Sequence, residues 1–207
     1  MATRIKICGI TRRHDAVVAA ELGAHAVGLM FYEDSPRFVS LDKAREVIEA
    51  LPPFVTRVGV FVNPKEQRVR AILGAVHLDL LQFHGDELPR FCAQFGMPYI
   101  KAVRVKKGLD LLQYSSRYRD AKGLLLDAHS EKAYGGTGEA FDWSLIPGSL
   151  TLPIILSGGL NAANVAHAIR LVRPWAVDVS SGVESAKGIK DAAKIAAFIK
   201  EARDADV

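Results

Sequence analysis

Short apolar runs alternate with segments of helical periodicity eight times along this 207-residue chain. The runs are continuously apolar, which is typical of parallel strands that are buried on both faces. The segments between them carry one apolar stripe, as helices that cover a sheet do. Eight such units fit a closed barrel, whereas an open doubly wound sheet usually stops at about five or six strands. We therefore predict an α/β fold, a single (β/α)8 TIM-barrel domain over residues 1–207.

Composition narrows the class of protein. A hydrophobic content of 49% is ample for a core, and no apolar run approaches the length of a membrane span. The N-terminal stretch MATRIKICG has no long apolar segment of the kind found in a signal peptide, so we expect a cytoplasmic protein with no membrane partner. The net charge of +4 suits an anionic small molecule, and the basic residues are scattered rather than massed, which argues against nucleic acid.

The two cysteines, Cys8 and Cys92, offer neither a disulfide framework nor a metal-ligand spacing. Cys92 lies in ELPRFCAQFG and is predicted to be a small core residue on a helix face. No GxGxxG motif follows the first apolar run, which disfavours a dinucleotide cofactor.

Two apolar runs near the C-terminus break off into small residues at equivalent places. Residues 153–156 close on Ser-Gly-Gly, and residues 177–179 close on Ser-Ser-Gly. Glycines at the carboxyl end of a strand let backbone N–H groups converge on an anion, and a helix N-terminus close behind would add partial positive charge. One such turn is more often only a tight loop, but a TIM barrel binds phosphate at two consecutive turns of this kind. The predicted phosphate-binding residues are Gly158, Gly159, Ser181 and Gly182.

Functional side chains of such a barrel stand at the carboxyl ends of its strands. The reactive or polar residues at those ends, or in the loops after them, are Cys8, Arg37, Gln82, His84, Asp127 and Asp178. Several have an ordinary alternative: Cys8 as inert packing, His84 as a loop cap and Arg37 as a solvated loop residue. Asp127 is harder to explain in that way, because a carboxylate that closes a run of three leucines must be hydrogen-bonded or protonated.

The alternation of side chains along a strand predicts one further contact. Lys6 lies on the same side of the first strand as Cys8, and Asp178 lies on the corresponding side of the eighth. Closure of a barrel makes these two strands neighbours. We therefore expect Lys6 and Asp178 to pair inside the barrel, where neither charge could remain without a partner.

Local signals place the helix starts. Thr11, Ser40 and Asn63 each precede a segment of helical periodicity and are predicted N-caps. Asn63 is followed by Pro64 and Glu66, a combination that is typical of the first turn of a helix.

Taken together, KICGIT, SPRFVS, VGVFVN, LLQFHG, LLLDAH with GGTG, LSGGLNAANV and VDVSSGVE resemble the phosphoribosylanthranilate isomerase family. The resemblance covers essentially the whole chain, in order and in register with the eight units. SGGL alone is shared by many phosphate-binding barrels. KICG near the N-terminus together with SPR is far more specific.

The resemblance implies an Amadori rearrangement in tryptophan biosynthesis. Cys8 matches the family's general base, Asp127 its general acid, and Arg37 the residue that holds the anthranilate carboxylate. Gln82, His84 and Asp178 are predicted to bind substrate with Arg37, and the GGTG loop at residues 135–138 to close over it. The resemblance implies no metal and no cofactor. The expected partner is a small phosphorylated substrate, and the assembly is a monomer or a homodimer.

Two other functions remain open at this point. One is another sugar-phosphate aminoaldose isomerase on the same barrel; such enzymes resemble half-barrel duplications with paired aspartates, whereas here a cysteine holds the first-strand position and no half-chain repeat is evident. The other is a non-catalytic phosphate-binding barrel. The presence of both Cys8 and Asp127 argues against that alternative.

Overall fold

Eight parallel strands close into a barrel in chain order, and the eighth pairs with the first. The computed structural model describes residues 2–128 and 141–205. The predicted (β/α)8 barrel is confirmed. The barrel strands are β1 Arg4–Cys8, β2 Ala26–Met30, β3 Thr56–Phe61, β4 Leu80–Phe83, β5 Tyr99–Val105, β6 Leu124–Ala128, β7 Ile154–Leu156 and β8 Ala176–Val179.

Helices cover the outside of the barrel. They are α1 Arg13–Leu22, α2 Leu41–Glu49, α3 Glu66–Ala75, α4 Pro89–Ala93, α5 Leu111–Arg117, α6 Val165–Val172 and α7 Ala192–Asp204. Between β6 and β7 the described residues form only a 3-10 turn, Trp143–Leu145, and the predicted lid at residues 135–138 lies outside the described part of the chain. None of the helices in the described ranges is long and apolar enough to cross a bilayer.

The interior of the barrel is apolar in its lower part and polar at the carboxyl ends of the strands, which form the mouth of the barrel. Neighbouring strands bring together a small buried cluster formed by Ile100, Ala102, Leu125, Ile155 and Ala176. Two residues further along β6 and β8, on the same side of each strand, stand Asp127 and Asp178. The larger apolar cluster lies between strands and helices and includes Cys92, which is fully buried as predicted.

The connection after β8 differs from the prediction. Instead of a helix N-terminus close behind the strand, a 3-10 turn, Ser181–Val183, leads into an antiparallel hairpin of β9 Glu184–Ala186 and β10 Ile189–Lys190. Helix α7 begins only after this hairpin. The expectation of a nearby helix N-terminus behind the second glycine turn was therefore wrong, and the hairpin adds charged side chains to the mouth instead.

One of the three predicted caps is confirmed. Ser40 accepts a hydrogen bond from a backbone N–H of the first turn of α2. Thr11 does not cap α1; its hydroxyl donates to a carbonyl of the β9–β10 loop. Asn63 does not cap α3, which begins at Glu66, because its side-chain oxygen accepts from the N–H of Asp86, far away in sequence.

Candidate active site

Cys8 closes β1 at the mouth of the barrel, with Lys6 two residues below it. The predicted pairing is confirmed: Lys6 Nζ lies 2.7 Å from Asp178 Oδ1, and both side chains are buried. Gly28 faces Cys8 in the register of β1 and β2. A Cβ on Gly28 would lie 2.7 Å from Cys8 Sγ and 3.3 Å from Lys6 Nζ, so the bare backbone there makes room for both groups.

The charges around Cys8 act in opposite directions. Burial raises the pKa of the Cys8 thiol, Lys6 lowers it, Asp178 raises it and Lys190 lowers it, and the net shift is upward. Lys6 and Lys190 favour the thiolate, but burial outweighs them. For Lys6, burial alone would lower the pKa, but Asp178 and Cys8 together raise it.

Arg37 is held by a residue that sequence analysis did not single out. Its Nε donates to Glu184 Oε1 at 2.8 Å and its Nη2 to Glu184 Oε2 at 2.7 Å, so the pair is bidentate and buried. Lys190 of the hairpin donates to Glu184 Oε1 at 2.9 Å and to the carbonyl of Ser180 at 3.0 Å. No local sequence pattern marks Glu184 or Lys190, because Arg37, which pairs with Glu184, comes from the loop after β2.

The stem of Arg37 passes over Gly9, immediately after Cys8. Gly9 has a φ of +73°, and a Cβ there would collide with Arg37 Cδ.

Burial lowers the pKa of Lys190, whereas Glu184 raises it. Burial would raise the pKa of Glu184, but Arg37 and Lys190 outweigh it and the pKa is lowered. The cluster therefore holds two cations and one carboxylate beside Cys8.

Asp127 lies in a second cluster with two predicted substrate-binding residues. Its Oδ1 accepts from the N–H of Ala128 at 2.9 Å, and its Oδ2 lies 3.0 Å from His84 Nε2. Gln82 Nε2 lies 2.9 Å from His84 Nδ1. An amide nitrogen only donates, so Nδ1 accepts in this arrangement and the ring hydrogen stands on Nε2, toward Asp127.

A row of contacts joins the two clusters across β7. Asp178 accepts from Lys6 with one oxygen and from the hydroxyl of Ser157, at 3.4 Å, with the other. Gly158, the next residue, packs against Asp127: a Cβ on Gly158 would lie 3.0 Å from Asp127 Oδ1. The structure thus places Cys8 and Asp127 in one continuous site, three strands apart around the barrel.

The two glycine turns lie against each other. Gly158 and Gly159 have φ of +84° and +63°, and a Cβ on Gly182 would collide with the carbonyl oxygen of Leu160 in the first turn. The carbonyl of Gly159 accepts from Asn164 Nδ2 at 3.0 Å. Within residues 2–128 and 141–205, no acceptor is present for four backbone N–H groups, those of Gly158, Gly159, Ser181 and Gly182.

Comparisons with known proteins agree with this geometry. The sequence model of a family described as N-(5'phosphoribosyl)anthranilate (PRA) isomerase matches residues 5–201. Among curated relatives, the N-(5'-phosphoribosyl)anthranilate isomerase of Nitrosospira multiformis is 60% identical over 200 residues, which is 97% of this chain and 96% of that protein.

Solved structures give the same result. A phosphoribosyl anthranilate isomerase in complex with reduced 1-(o-carboxyphenylamino)-1-deoxyribulose 5-phosphate matches with a TM-score of 0.87 and 43% identity, over 98% of this chain and 99% of that one. Monomers generated from the dimeric enzyme of Thermotoga maritima match with a TM-score of 0.84 and 40% identity, over 98% and 99% of the two chains.

Proposed function

The chain belongs to the N-(5'-phosphoribosyl)anthranilate isomerase family of tryptophan biosynthesis, and from this premise we propose how its own residues carry the reaction. The substrate is N-(5-phosphoribosyl)anthranilate, and the product is 1-(2-carboxyphenylamino)-1-deoxyribulose 5-phosphate. The rearrangement moves one proton from carbon and delivers another to oxygen, with no net change in composition. Asp127 is the acid, and Cys8 is the base.

Asp127 gives its proton to the furanose ring oxygen, and the bond between that oxygen and C1 breaks to leave a Schiff base. The position of Asp127 supports this role, because its carboxyl group is fixed by Ala128 and His84 next to the glycine turn at Gly158. A group fixed in this way meets the substrate in one orientation, which is what general acid catalysis requires.

Cys8 as thiolate removes the proton from C2, which gives an enolamine that tautomerises to the ketone. The Lys6 ammonium group stands beside the thiol and is itself paired with Asp178. Lys6 thereby favours the thiolate without adding an unpaired charge to the barrel interior. Only the deprotonated fraction of Cys8 can act as the base.

The remaining predicted residues bind the substrate. Arg37 holds the anthranilate carboxylate, and its bidentate pair with Glu184 fixes the guanidinium plane for that purpose. Gln82, His84 and Asp178 meet the sugar; the buried Gln82 Oε1, which has no partner among the described residues, is a ready acceptor for a hydroxyl. The unpaired N–H groups of the two glycine turns bind the phosphate.

The observation that most supports this proposal is the row of contacts that runs from Lys6, beside Cys8, through Asp178 and Ser157 toward Asp127, next to glycine turns whose N–H groups have no acceptor among the described residues. Cys8→Ser and Asp127→Asn test it directly. Each should lower kcat by several orders of magnitude while the protein stays folded, because a hydroxyl is a poor proton acceptor and an amide has no acidic proton. Turnover is followed by the fluorescence of the anthranilate substrate. A folded Cys8→Ser protein with near-normal kcat would refute the assignment, and a barrel that only binds phosphate would show no fluorescence change at all.

A homodimer is the assembly we propose. Leu171 and Trp175 are exposed along one groove at the end of the barrel opposite the active site. A similar enzyme, that of Thermotoga maritima, is dimeric. Sedimentation equilibrium of the wild type and of Trp175→Ser would test the dimer; a monomeric wild type at high protein concentration would contradict it.

Cell fractionation would test the predicted cytoplasmic location.

A further inference from the structure

Lys101 of β5 is a fully buried lysine that takes no part in the proposed chemistry. Its Nζ donates to the carbonyl oxygens of Phe83 at 3.2 Å and Gly85 at 2.7 Å, and to its neighbour's carbonyl in β5 at 3.0 Å. Phe83 and Gly85 are the residues on either side of His84. One ammonium group therefore holds the backbone both before and after His84.

Glu87 binds the backbone N–H groups of the same turn. Both of its carboxylate oxygens accept from the N–H of Gly85, at 3.1 and 3.0 Å, and one also accepts from the N–H of Asn63 at 2.8 Å. Glu87 Oε2 lies 3.3 Å from Lys101 Nζ, and both side chains are buried. Lys101 and Glu87 therefore form a buried ion pair at this turn. Glu87 accepts hydrogen bonds from its backbone N–H groups, and Lys101 donates to its carbonyl oxygens.

Contacts with the loop after β3 complete the restraint. The N–H of His84 donates to the carbonyl of Phe61 at 2.8 Å, and the N–H of Asp86 donates to Asn63 Oδ1 at 2.7 Å. A Cβ on Gly85 would lie 2.7 Å from the backbone nitrogen of Asn63, so the two loops are in close contact. Every one of these bonds fixes the backbone that carries the His84 ring.

Stability alone does not explain such a pair. Two charges taken out of water rarely add net stability over well-packed apolar side chains of similar volume. Burial lowers the pKa of Lys101, against the opposing effect of Glu87. What distinguishes this turn is that it carries His84, whose ring nitrogen Nε2 lies 3.0 Å from Asp127 Oδ2.

We propose that Lys101 and Glu87 are positioning residues, which set the turn at His84 and, through the His84 ring, the orientation of Asp127. The inference rests on the proposed function of Asp127 as the acid. It assigns the pair no contact with substrate. A misplacement of the acid by about 1 Å is enough to slow a reaction about a hundredfold, so a rigid turn has a direct kinetic value.

The test uses the double variant Lys101→Met/Glu87→Gln, because it leaves neither a buried carboxylate nor a buried ammonium group without a partner. The single variants Lys101→Met and Glu87→Gln accompany it. The matched control is Arg57→Met/Asp79→Asn, which removes an ion pair of 2.7 Å that bridges β3 to the residue before β4, away from His84. Urea unfolding of each protein gives its stability.

We expect the Lys101→Met/Glu87→Gln protein to show a kcat about 10- to 100-fold below wild type. The control pair should change stability and leave kcat within about twofold of wild type. In a His84→Ala background, the same double substitution should lower kcat little further, because the pair acts through the His84 ring. A full additional loss in that background would overturn the proposal, and so would a double variant with wild-type kcat.

A measurement without substrate separates this proposal from the proposed function. In protein labelled with ¹⁵N-histidine, the ring signals that vanish in His84→Ala belong to His84. Loss of the pair should move those signals, whereas the Arg57→Met/Asp79→Asn control should not. Activity in Asp127→Asn would refute the role of Asp127 as acid while leaving this expectation intact. Unmoved His84 signals in the Lys101→Met/Glu87→Gln protein would refute the positioning role even if Asp127 is the acid.

Discussion

Lys6 of β1 and Asp178 of β8 form a 2.7 Å ion pair inside the barrel, at the place where the last strand pairs with the first. The two residues are 172 positions apart in sequence and directly opposite each other in the register of the two strands. The pair contributes both to closure of the barrel and to the charge around Cys8. These two roles can be separated by experiment.

Lys6→Met should lower the free energy of unfolding by about 3–5 kcal/mol, because it leaves Asp178 as a buried carboxylate without its counter-ion. Urea unfolding measures the loss. Lys6→Met/Asp178→Asn, which removes both charges, should recover much of it. A loss below about 1 kcal/mol in the single variant would show that water reaches Asp178.

The same pair predicts a dependence of stability on pH. The pKa of Lys6 is raised in the folded protein, so its contribution is complete below the pKa of an unfolded lysine, about 10.4, and is lost as the pH rises through the higher folded value. The difference in stability between wild type and Lys6→Met should therefore shrink above about pH 10.5. A difference that stays unchanged well above that pH would contradict the assignment.

Gly28→Ala should damage catalysis through the position of Cys8. The new methyl group would lie 2.7 Å from the thiol sulfur, so Cys8 must move, and we expect kcat/KM to fall at least about tenfold. Gly74→Ala is the matched control, because nothing lies within 4 Å of its Cβ and alanine is the better helix former by about 1 kcal/mol. Equal kinetics for both variants would place Cys8 outside the reaction.

Arg37→Ala should weaken substrate binding by about 1.5–3 kcal/mol, the usual value of a hydrogen bond to a charged group. Arg70→Ala, which removes an exposed charge on α3, is the control and should leave KM unchanged. A substrate analogue without the anthranilate carboxylate should lose the same amount against wild type and little more against Arg37→Ala. If both proteins discriminate equally, the carboxylate is bound elsewhere.

Gly159→Asp should raise KM strongly, because it adds a side chain and a negative charge to the proposed phosphate site. Isothermal titration with inorganic phosphate gives a readout that does not depend on turnover. Unchanged phosphate affinity in this variant would mean that the two glycine turns are not the phosphate site. Gly148→Ala, where a Cβ meets nothing within 4 Å, is a suitable control.

Features that depend on one strand and its neighbour were predictable from sequence. The side-chain alternation of β1 and β8 was sufficient to predict the Lys6–Asp178 pair, and a continuous apolar run was sufficient to place Asp127 at a strand end. Ser40 was predictable as a cap because its partner lies within the same helix. In each case the decisive interaction is local or is fixed by barrel closure.

Features that depend on distant loops were not predictable. Asn63 has every local sign of a cap, but Asp86 and Glu87 of the next loop bind its side chain and its backbone instead. Lys101 looks like one charge in an apolar run, and only the fold brings it to the carbonyls around His84. The hairpin with Glu184 and Lys190 was missed because its register is set by contacts with Arg37 and Asp15 of other segments.

The last prediction concerns the ionisation of Cys8. Burial is the largest influence on its pKa and raises it, with Lys6 and Lys190 in opposition, so at neutral pH most of the thiol is protonated. Cys8 must be deprotonated and Asp127 protonated for the reaction, so kcat/KM should follow a bell-shaped pH profile when the chemical step limits the rate. Only the thiolate reacts with iodoacetamide, so inactivation by iodoacetamide should accelerate about tenfold per pH unit between about pH 6 and 8, and substrate should protect the enzyme.

Cys92 serves as the internal control for this experiment. It is fully buried, and burial raises its pKa to about 12, so it should stay unlabelled while Cys8 reacts. Cys92→Ala should therefore be inactivated like wild type. Lys190→Met removes a charge that lowers the pKa of Cys8, so the rising limb of its kcat/KM profile should move to higher pH. A rising limb that moves to lower pH in Lys190→Met would show that the base is a residue other than Cys8.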